Sequence, residues 1–200
     1  MSSDQLPEGR LQQAALNLLE GADIQFRREN RLDIALVKNL PIALVFLPAA
    51  DIPTFVGEGR VDLGITGLDQ VQEHDAGTRT ITRARRLSGE TTPEDGKVKG
   101  CVTVMDLGFG ACKLQVQVPV KGQYQDPKDL VGKNIGTSFV HLASEYFARL
   151  ELEQDVANGA DATVPTKKLR TNIVELTGSV EAACALGVAD GIVDLVGACA

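Results

Sequence analysis

Residues Leu40–Val71 read LPIALVFLPAADIPTFVGEGRVDLGITGLDQV. An apolar run, Ile42 to Leu47, leads into Asp51-Ile52-Pro53. Asp is favoured at helix N-caps, and Pro suits the first helical turn, where its missing N–H costs nothing. A short amphipathic stretch then ends in Gly57 and Gly59, and a second apolar run, Val61 to Thr66, stops at Gly67. Leu68 to His74 reads as a second short helix. The pattern predicts strand, helix, strand. Two strands joined by a helical crossover lie parallel in one sheet, with a right-handed connection. Their carboxyl ends, near Pro48–Asp51 and Thr66–Asp69, then open on one edge, which is where ligands sit in open parallel sheets.

Toward the N-terminus, Ile24–Phe26 and Leu32–Val37 read as a strand pair, with the charged Arg27–Arg31 at their turn. Leu11 to Glu20 has Leu11, Ala15, Leu18 and Leu19 on one helical face, and Gly21 supplies a stop. Gly9 and Arg10 sit just before that helix, where an anion can be received.

Toward the C-terminus, residues 75–104 are rich in Thr, Arg, Gly, Glu and Pro and lack periodicity, which predicts a disordered insertion. Order returns with Lys113–Val118 (KLQVQV), an alternating strand that ends at Pro119. Asp126–Leu130 reads as a turn into a one-turn helix, and Lys133–Ser138 as a short strand feeding a helix from His141 to about Glu151. Gln154–Lys167 reads as a loop, Thr171–Leu176 as a strand, Ser179 to Gly187 as a small-residue helix, and Gly191–Val196 as a final strand. Two α/β lobes fit this order, residues 1–105 and 106–196, and a cleft between two such lobes is a common small-molecule site.

Composition narrows the function. Hydrophobic residues make up 44% and charged residues 24%, ordinary for a globular chain, and no apolar run approaches a membrane span. The N-terminus, MSSDQLPEGR, has no basic, apolar leader, so the chain reads as cytoplasmic. A net charge of −7 argues against nucleic acid as partner. It outweighs the local basic cluster Arg79, Arg83, Arg85 and Arg86, which reads as a solvated face. Cys101, Cys112, Cys184 and Cys199 show no CxxC spacing, and His74 and His141 match no zinc spacing.

Three strand-to-helix junctions carry small hydroxyl or glycine residues: Thr66-Gly67, Gly136-Thr137-Ser138 and Thr177-Gly178-Ser179. Helix starts present N–H groups and a positive dipole end, so each can hold phosphate or carboxylate. The same residues are also ordinary caps. Three junctions divided between two lobes favour a ligand with anionic groups. Asp62, Asp69, Glu181, Asp190 and Asp194 lie near strand ends, and acids beside a phosphate site suggest Mg²⁺. Arg31 and Lys113 are candidate cations for phosphate or pyrophosphate. GxSxG, HExxH, GxGxxG after a strand and GxxxxGK[ST] are all missing, which disfavours covalent catalysis and the standard nucleotide loops.

RLDIAL (31–36), residues 41–71, LGFGACKLQVQVPV (107–120), IGTSFVHLASEYFA (135–148) and GSVEAACALGVADGIVDLV (178–196) together resemble ATP phosphoribosyltransferase of the fungal, long, histidine-regulated type. The resemblance implies the first step of L-histidine biosynthesis. There N1 of ATP's adenine attacks the anomeric carbon of phosphoribosyl pyrophosphate, and pyrophosphate leaves with help from Mg²⁺. It implies an α/β fold like the type II periplasmic binding proteins, two-lobed, with mixed sheets and an interlobe cleft, and assembly into homo-oligomers. It carries substrate binding onto Gly9, Arg10, Arg31, Asp51, Asp62, Gly64, Thr66 and Gly67 in the first lobe. In the second it carries it onto Lys113, Thr137, Ser138, Gly178, Ser179, Glu181 and Asp194. No residue is assigned as a nucleophile. The family's first strand, its 5′-phosphate loop after Val196 and its regulatory domain are expected to have no counterpart in this chain. The alternative is a non-catalytic small-molecule-binding module of the same fold.

Overall fold

The computed structural model describes residues 11–27, 33–88, 100–159 and 168–197. They divide into two compact units, with one cut after His74 and another between Ala111 and Cys112. Asp75 and the described residues of the helix after it cluster with the second unit, and residues 100–111 with the first.

The first unit is built on two short strands. β1 (Ile34–Leu36) pairs antiparallel with β2 (Ala43–Val45), with Ala35 opposite Leu44. Ala35 is buried, whereas Ile34 and Leu36 point the other way and are exposed. Ile24–Phe26, expected as a strand beside 32–37, makes a single bridge from Phe26 to Val37, and Phe26 stacks at a tilt on Phe46. The helix α1 (Gln12–Gly21) ends in a tight turn in which Asp23, not Gly21, takes the left-handed conformation (φ 56°). Asp tolerates that region better than most residues.

The strand–helix–strand expectation for Leu40–Val71 holds in part. α2 (Ile52–Gly57) begins where Asp51 and Pro53 place it, with Pro53 buried. Val61–Thr66, however, is irregular chain with a bend at Val61-Asp62 and not a strand, so among the described residues this unit has no parallel pair. The reason is physical. A strand exists only with a partner for its N–H and C=O groups, and none of the described residues forms a ladder with 61–66. The Thr66 hydroxyl donates to the Ala49 carbonyl at 2.9 Å, which ties this stretch back to the entry of α2.

α3 (Leu68–Ser88) runs on far past His74, through residues expected to be a disordered insertion. Its arginines are strong helix formers, whereas its threonines are poor ones. The Thr80 hydroxyl donates back to the Ala76 carbonyl at 2.9 Å, and Arg79 meets Glu145 at 3.1 Å. Of the remainder of that expected insertion, 89–99 lie outside the described residues and 100–104 have no regular secondary structure.

The second unit holds a four-stranded mixed sheet in the order β3-β6-β4-β5. β3 is Lys113–Gln117, β4 Asn134–Thr137, β5 Asn172–Glu175 and β6 Gly191–Val196. β4 is parallel to both β5 and β6, and β3 runs antiparallel to β6. One face is covered by α4 (Val140–Ala157), where Phe147, Leu150 and Ala143 pack on Ile135, Val193 and Leu130. α4 extends beyond the expected Glu151. The other face is covered by the short α5 (Ala182–Ala185), around Val180, Ala183, Ala189 and Ile192. Gly136 lets α5 lie close, since a Cβ there would come within 2.9 Å of Leu176 and 3.3 Å of Ala183. No helix among the described residues is long and apolar enough to cross a membrane.

Candidate active site

Because β4, β5 and β6 are mutually parallel, their carboxyl ends emerge on one edge of the second unit's sheet. Ser138 follows β4 there, Gly178 and Ser179 follow β5, and Asp194 lies near the end of β6. β3 runs the other way, so its first residue, Lys113, pairs with Val196 and arrives at the same edge. Six expected site residues with Glu181 beside them are therefore gathered by topology: Lys113, Thr137, Ser138, Gly178, Ser179 and Asp194.

They differ in what they can do. Thr137 is fully buried; its hydroxyl donates to the Val193 carbonyl at 2.7 Å and accepts from the Phe139 N–H at 2.9 Å. It locks β4 to β6 and fixes the turn into α4. Ser138 is exposed, at the positive end of an 18-residue helix, and its hydroxyl has no partner among the described residues. Gly178 and Ser179 are exposed, and Ser179 holds φ 39°, a left-handed conformation rare outside glycine. Glu181 sits exposed at the start of α5 without a capping bond. Lys113 is exposed with no ion pair among the described residues. Asp194 is half-buried, and one of its oxygens accepts the Leu195 N–H at 2.8 Å.

The first unit supplies a separate group. Asp51 opens α2 and is exposed. Gly64 lies against α2, where a Cβ would run into the Ile52 side chain. At Thr66-Gly67 the hydroxyl is given to Ala49, and the Asp69 carboxylate lies over Gly67 in the first turn of α3. An anion arriving at that helix start would meet a carboxylate. Asp62 is exposed. Gly9, Arg10 and Arg31 lie outside the described residues.

Two acids have roles the sequence did not reveal. Asp190, one of the strand-end carboxylates, is at the amino end of β6, on the opposite edge from the site. It accepts from the Tyr124 hydroxyl at 3.1 Å and the Asn134 N–H at 3.0 Å, beside a polar hollow of about 370 Å³. Burial, helped by the charge of Asp190, pushes the Cys184 thiol on that hollow up, which keeps it protonated and inert. Glu151 on α4 is buried. It accepts from the Thr171 hydroxyl (2.7 Å), the Thr171 N–H (2.8 Å) and the Arg170 N–H (3.0 Å). Burial alone would raise its carboxyl, but the Arg170 and Thr171 hydrogen bonds and the Arg170 charge outweigh that and hold it low. No local sequence signal marks a glutamate for that role.

A family model described as HisG, ATP phosphoribosyltransferase, matches residues 48–198, which include all of the second unit's edge. The chain belongs to this family. Among relatives named ATP phosphoribosyltransferase, that of Yarrowia lipolytica is 57% identical over 189 residues, covering 94% of this chain and 52% of the relative. That of Saccharomyces cerevisiae is 51% identical over 189 residues, covering 94% and 52%. The chain thus spans about half the length of the curated relatives it matches. Among solved structures, the ATP phosphoribosyl transferase (HisG:HisZ) complex from Thermotoga maritima matches with a TM-score of 0.56 at 20% identity. It covers 96% of this chain and 72% of the other. At that identity the match speaks to the fold alone.

Membership in this family agrees with the mixed α/β sheet of the second unit. Among the described residues no three His, Cys, Asp or Glu side chains gather as a metal site.

Proposed function

We propose that the chain carries the catalytic part of an ATP phosphoribosyltransferase. In this reading N1 of ATP's adenine displaces pyrophosphate from the anomeric carbon of phosphoribosyl pyrophosphate, the first step of L-histidine biosynthesis. The observation that carries it is the convergence of Lys113, Ser138, Gly178, Ser179 and Asp194 on one sheet edge inside the family-matched region.

A displacement of this kind needs no covalent intermediate. It needs the two reactants held in line and charge opposite the leaving group. Lys113 supplies a mobile positive charge for the departing pyrophosphate. The positive end of α4, entered through Ser138, adds a fixed one. Thr137 sets the spacing between that helix start and β6 without touching the ligand. Mg²⁺ belongs to this reading as an ion that arrives bound to the pyrophosphate group. The two-lobed architecture of the type II periplasmic-binding-protein kind, with 1–105 and 106–196 as lobes flanking a cleft, a cytoplasmic site of action and homo-oligomeric assembly all follow the same reading. So does the placement of Asp51, Asp62, Gly64, Thr66 and Gly67 on the substrate side of the first lobe.

The test is pyrophosphate release from phosphoribosyl pyrophosphate, assayed with ATP and Mg²⁺, beside calorimetric binding of phosphoribosyl pyrophosphate. Release that requires ATP supports the reading. Lys113→Ala is expected to lower kcat/KM by roughly tenfold to a hundredfold, as for loss of one charge-assisted contact. A folded chain that neither binds phosphoribosyl pyrophosphate nor releases pyrophosphate overturns it.

A further inference from the structure

The sheet register places one more side chain at this edge. Gln115 lies directly opposite Asp194, Lys113 opposite Val196, and Gln117 opposite Ile192. Directly opposed residues of an antiparallel pair share a face, with Cβ atoms about 4.5–5.5 Å apart. Lys113, Gln115 and Asp194 therefore stand on one face. It is the face that α5 covers, but α5 reaches only Ile192 and the neighbouring Gly136. Beyond Ile192 the face opens: Gln117 is half-buried, Gln115 and Lys113 are exposed.

Asp194 is the odd residue in this row. β6 is an interior strand, flanked by β3 and β4. Asp is disfavoured in strands, and a half-buried carboxylate is costly without partners. One of its oxygens takes the Leu195 N–H; the other has no partner among the described residues. The Gln115 amide, able both to donate and to accept, is unengaged among the described residues as well. An unsatisfied carboxylate, a neighbouring amide and a lysine in sequence along one face match a ligand with adjacent hydroxyls and a phosphate. Carboxylates recognise ribose hydroxyls in this manner, and an ammonium pairs with phosphate.

We propose that Gln115 is a specificity-determining residue of the site, reading with Asp194 the adjacent hydroxyls of a ribose whose 1-pyrophosphate Lys113 faces. This rests on the function proposed above and adds the residue that tells ribose from deoxyribose. A solvated amide on an exposed strand face would do no such thing, and the two roles separate cleanly, because Gln115→Ala removes only exposed atoms.

The experiment is calorimetric titration of the 200-residue chain and its Gln115→Ala variant with ribose 5-phosphate and with 2-deoxyribose 5-phosphate. Circular dichroism melts serve as the check on folding. Wild-type protein is expected to prefer the ribose compound, and Gln115→Ala to lose roughly tenfold in affinity for it, the size of one hydrogen bond. Affinity for the deoxy compound should stay unchanged. A variant that weakens both sugars equally, or neither, overturns the role of Gln115 while leaving the proposed function standing if phosphoribosyl pyrophosphate still binds. Wild-type protein that binds neither sugar phosphate nor phosphoribosyl pyrophosphate overturns both.

Discussion

The two units draw on similar apolar strand sequences and end up differently built. In the second, each of β4 and β6 has a partner on both sides, and residues such as Ile135, Val193 and Phe147 are buried between sheet and helix. In the first, β1 and β2 among the described residues form a two-stranded sheet, and alternate residues on their common face, Ile34, Leu36 and Val45, are exposed. The apolar content of a strand does not by itself make a core. It does so when a sheet is wide enough for helices to seat on both faces, since an isolated strand pair is marginal in water. The residues gathered at one strand edge, Lys113, Ser138, Gly178, Ser179 and Asp194, belong to the wider sheet.

The largest expected effect is at Phe147. Its ring is fully buried and meets Tyr146 edge-on, with centroids 5.4 Å apart. Phe147→Ala leaves a cavity under β4 and β6 and is expected to cost about 3–5 kcal/mol in denaturant unfolding. Native-state hydrogen exchange sharpens the comparison. Amides of β4 and β6 should exchange last in the wild type and fall toward the rate of β1 and β2 in the variant. If β1 and β2 are already as slow as β4 in the wild type, the contrast between the units fails.

Glu151 comes next. It joins the start of β5 to α4 through Arg170 and Thr171, and the Thr171 hydroxyl in turn accepts the Gly132 N–H at 3.0 Å. Glu151→Gln keeps the shape and removes the charge, and should cost about 2–3 kcal/mol, the scale of hydrogen bonds to an ionised group. The pH dependence has a definite sign. The folded carboxyl titrates below its ordinary 4.5, so its contribution is complete above about that pH and is lost as pH falls through the lower folded value. Unfolding titrated from neutral pH into acid should show a steeper loss for the wild type than for Glu151→Gln. Parallel acid curves would show that the carboxylate does not hold this junction.

How much of this could be read beforehand also differs between the units. β3, β4, β5 and β6 fall within a residue or two of the alternating or apolar runs that predict them, because each run found a ladder partner. Val61–Thr66 has the same apolar character and did not. Pairing belongs to two segments at once, and a single run carries no record of its partner. α3 fails in the opposite direction. Its polar, Thr- and Arg-rich second half has no strong helical period, yet Ala76 and Gly77 are small enough to bury, and His141 comes within 2.8 Å of where a Gly77 Cβ would be. The Thr137-Ser138 and Gly178-Ser179 junctions lie on one edge of the second unit's sheet. The sequence of the junctions could not say that Thr137 is turned inward or that Asp69 covers Gly67, since both depend on where neighbouring side chains fall.

Thr137 and Ser138 test that distinction within one turn. Thr137→Val preserves shape but strands the Val193 carbonyl and the Phe139 N–H, and is expected to cost about 1–3 kcal/mol in stability. Thr137→Ser should restore most of it. Ser138→Ala, with an exposed hydroxyl, should leave the melting curve within error and show its effect only in pyrophosphate binding. If the two positions exchanged these roles, the placement of the ligand at the α4 entrance would be wrong.

The smallest effect is expected where the sequence looks most apolar. Leu36 is 73% exposed and Ile34 57%, both on the open face of the β1–β2 pair. Burial of a leucine stabilises by about 1.5–3 kcal/mol relative to full exposure, so a side chain left this exposed realises only a fraction of that. Leu36→Lys should therefore change the chain's unfolding free energy by no more than about 0.5 kcal/mol, the ordinary range for surface positions. The same substitution at Ile135, fully buried in the second unit, would place a charge in the core and prevent folding. Denaturant midpoints of the two lysine variants decide the matter directly. A large loss from Leu36→Lys would mean that this face is covered in the protein as it folds. The contrast between a thin first unit and a closed second one would then have to be abandoned.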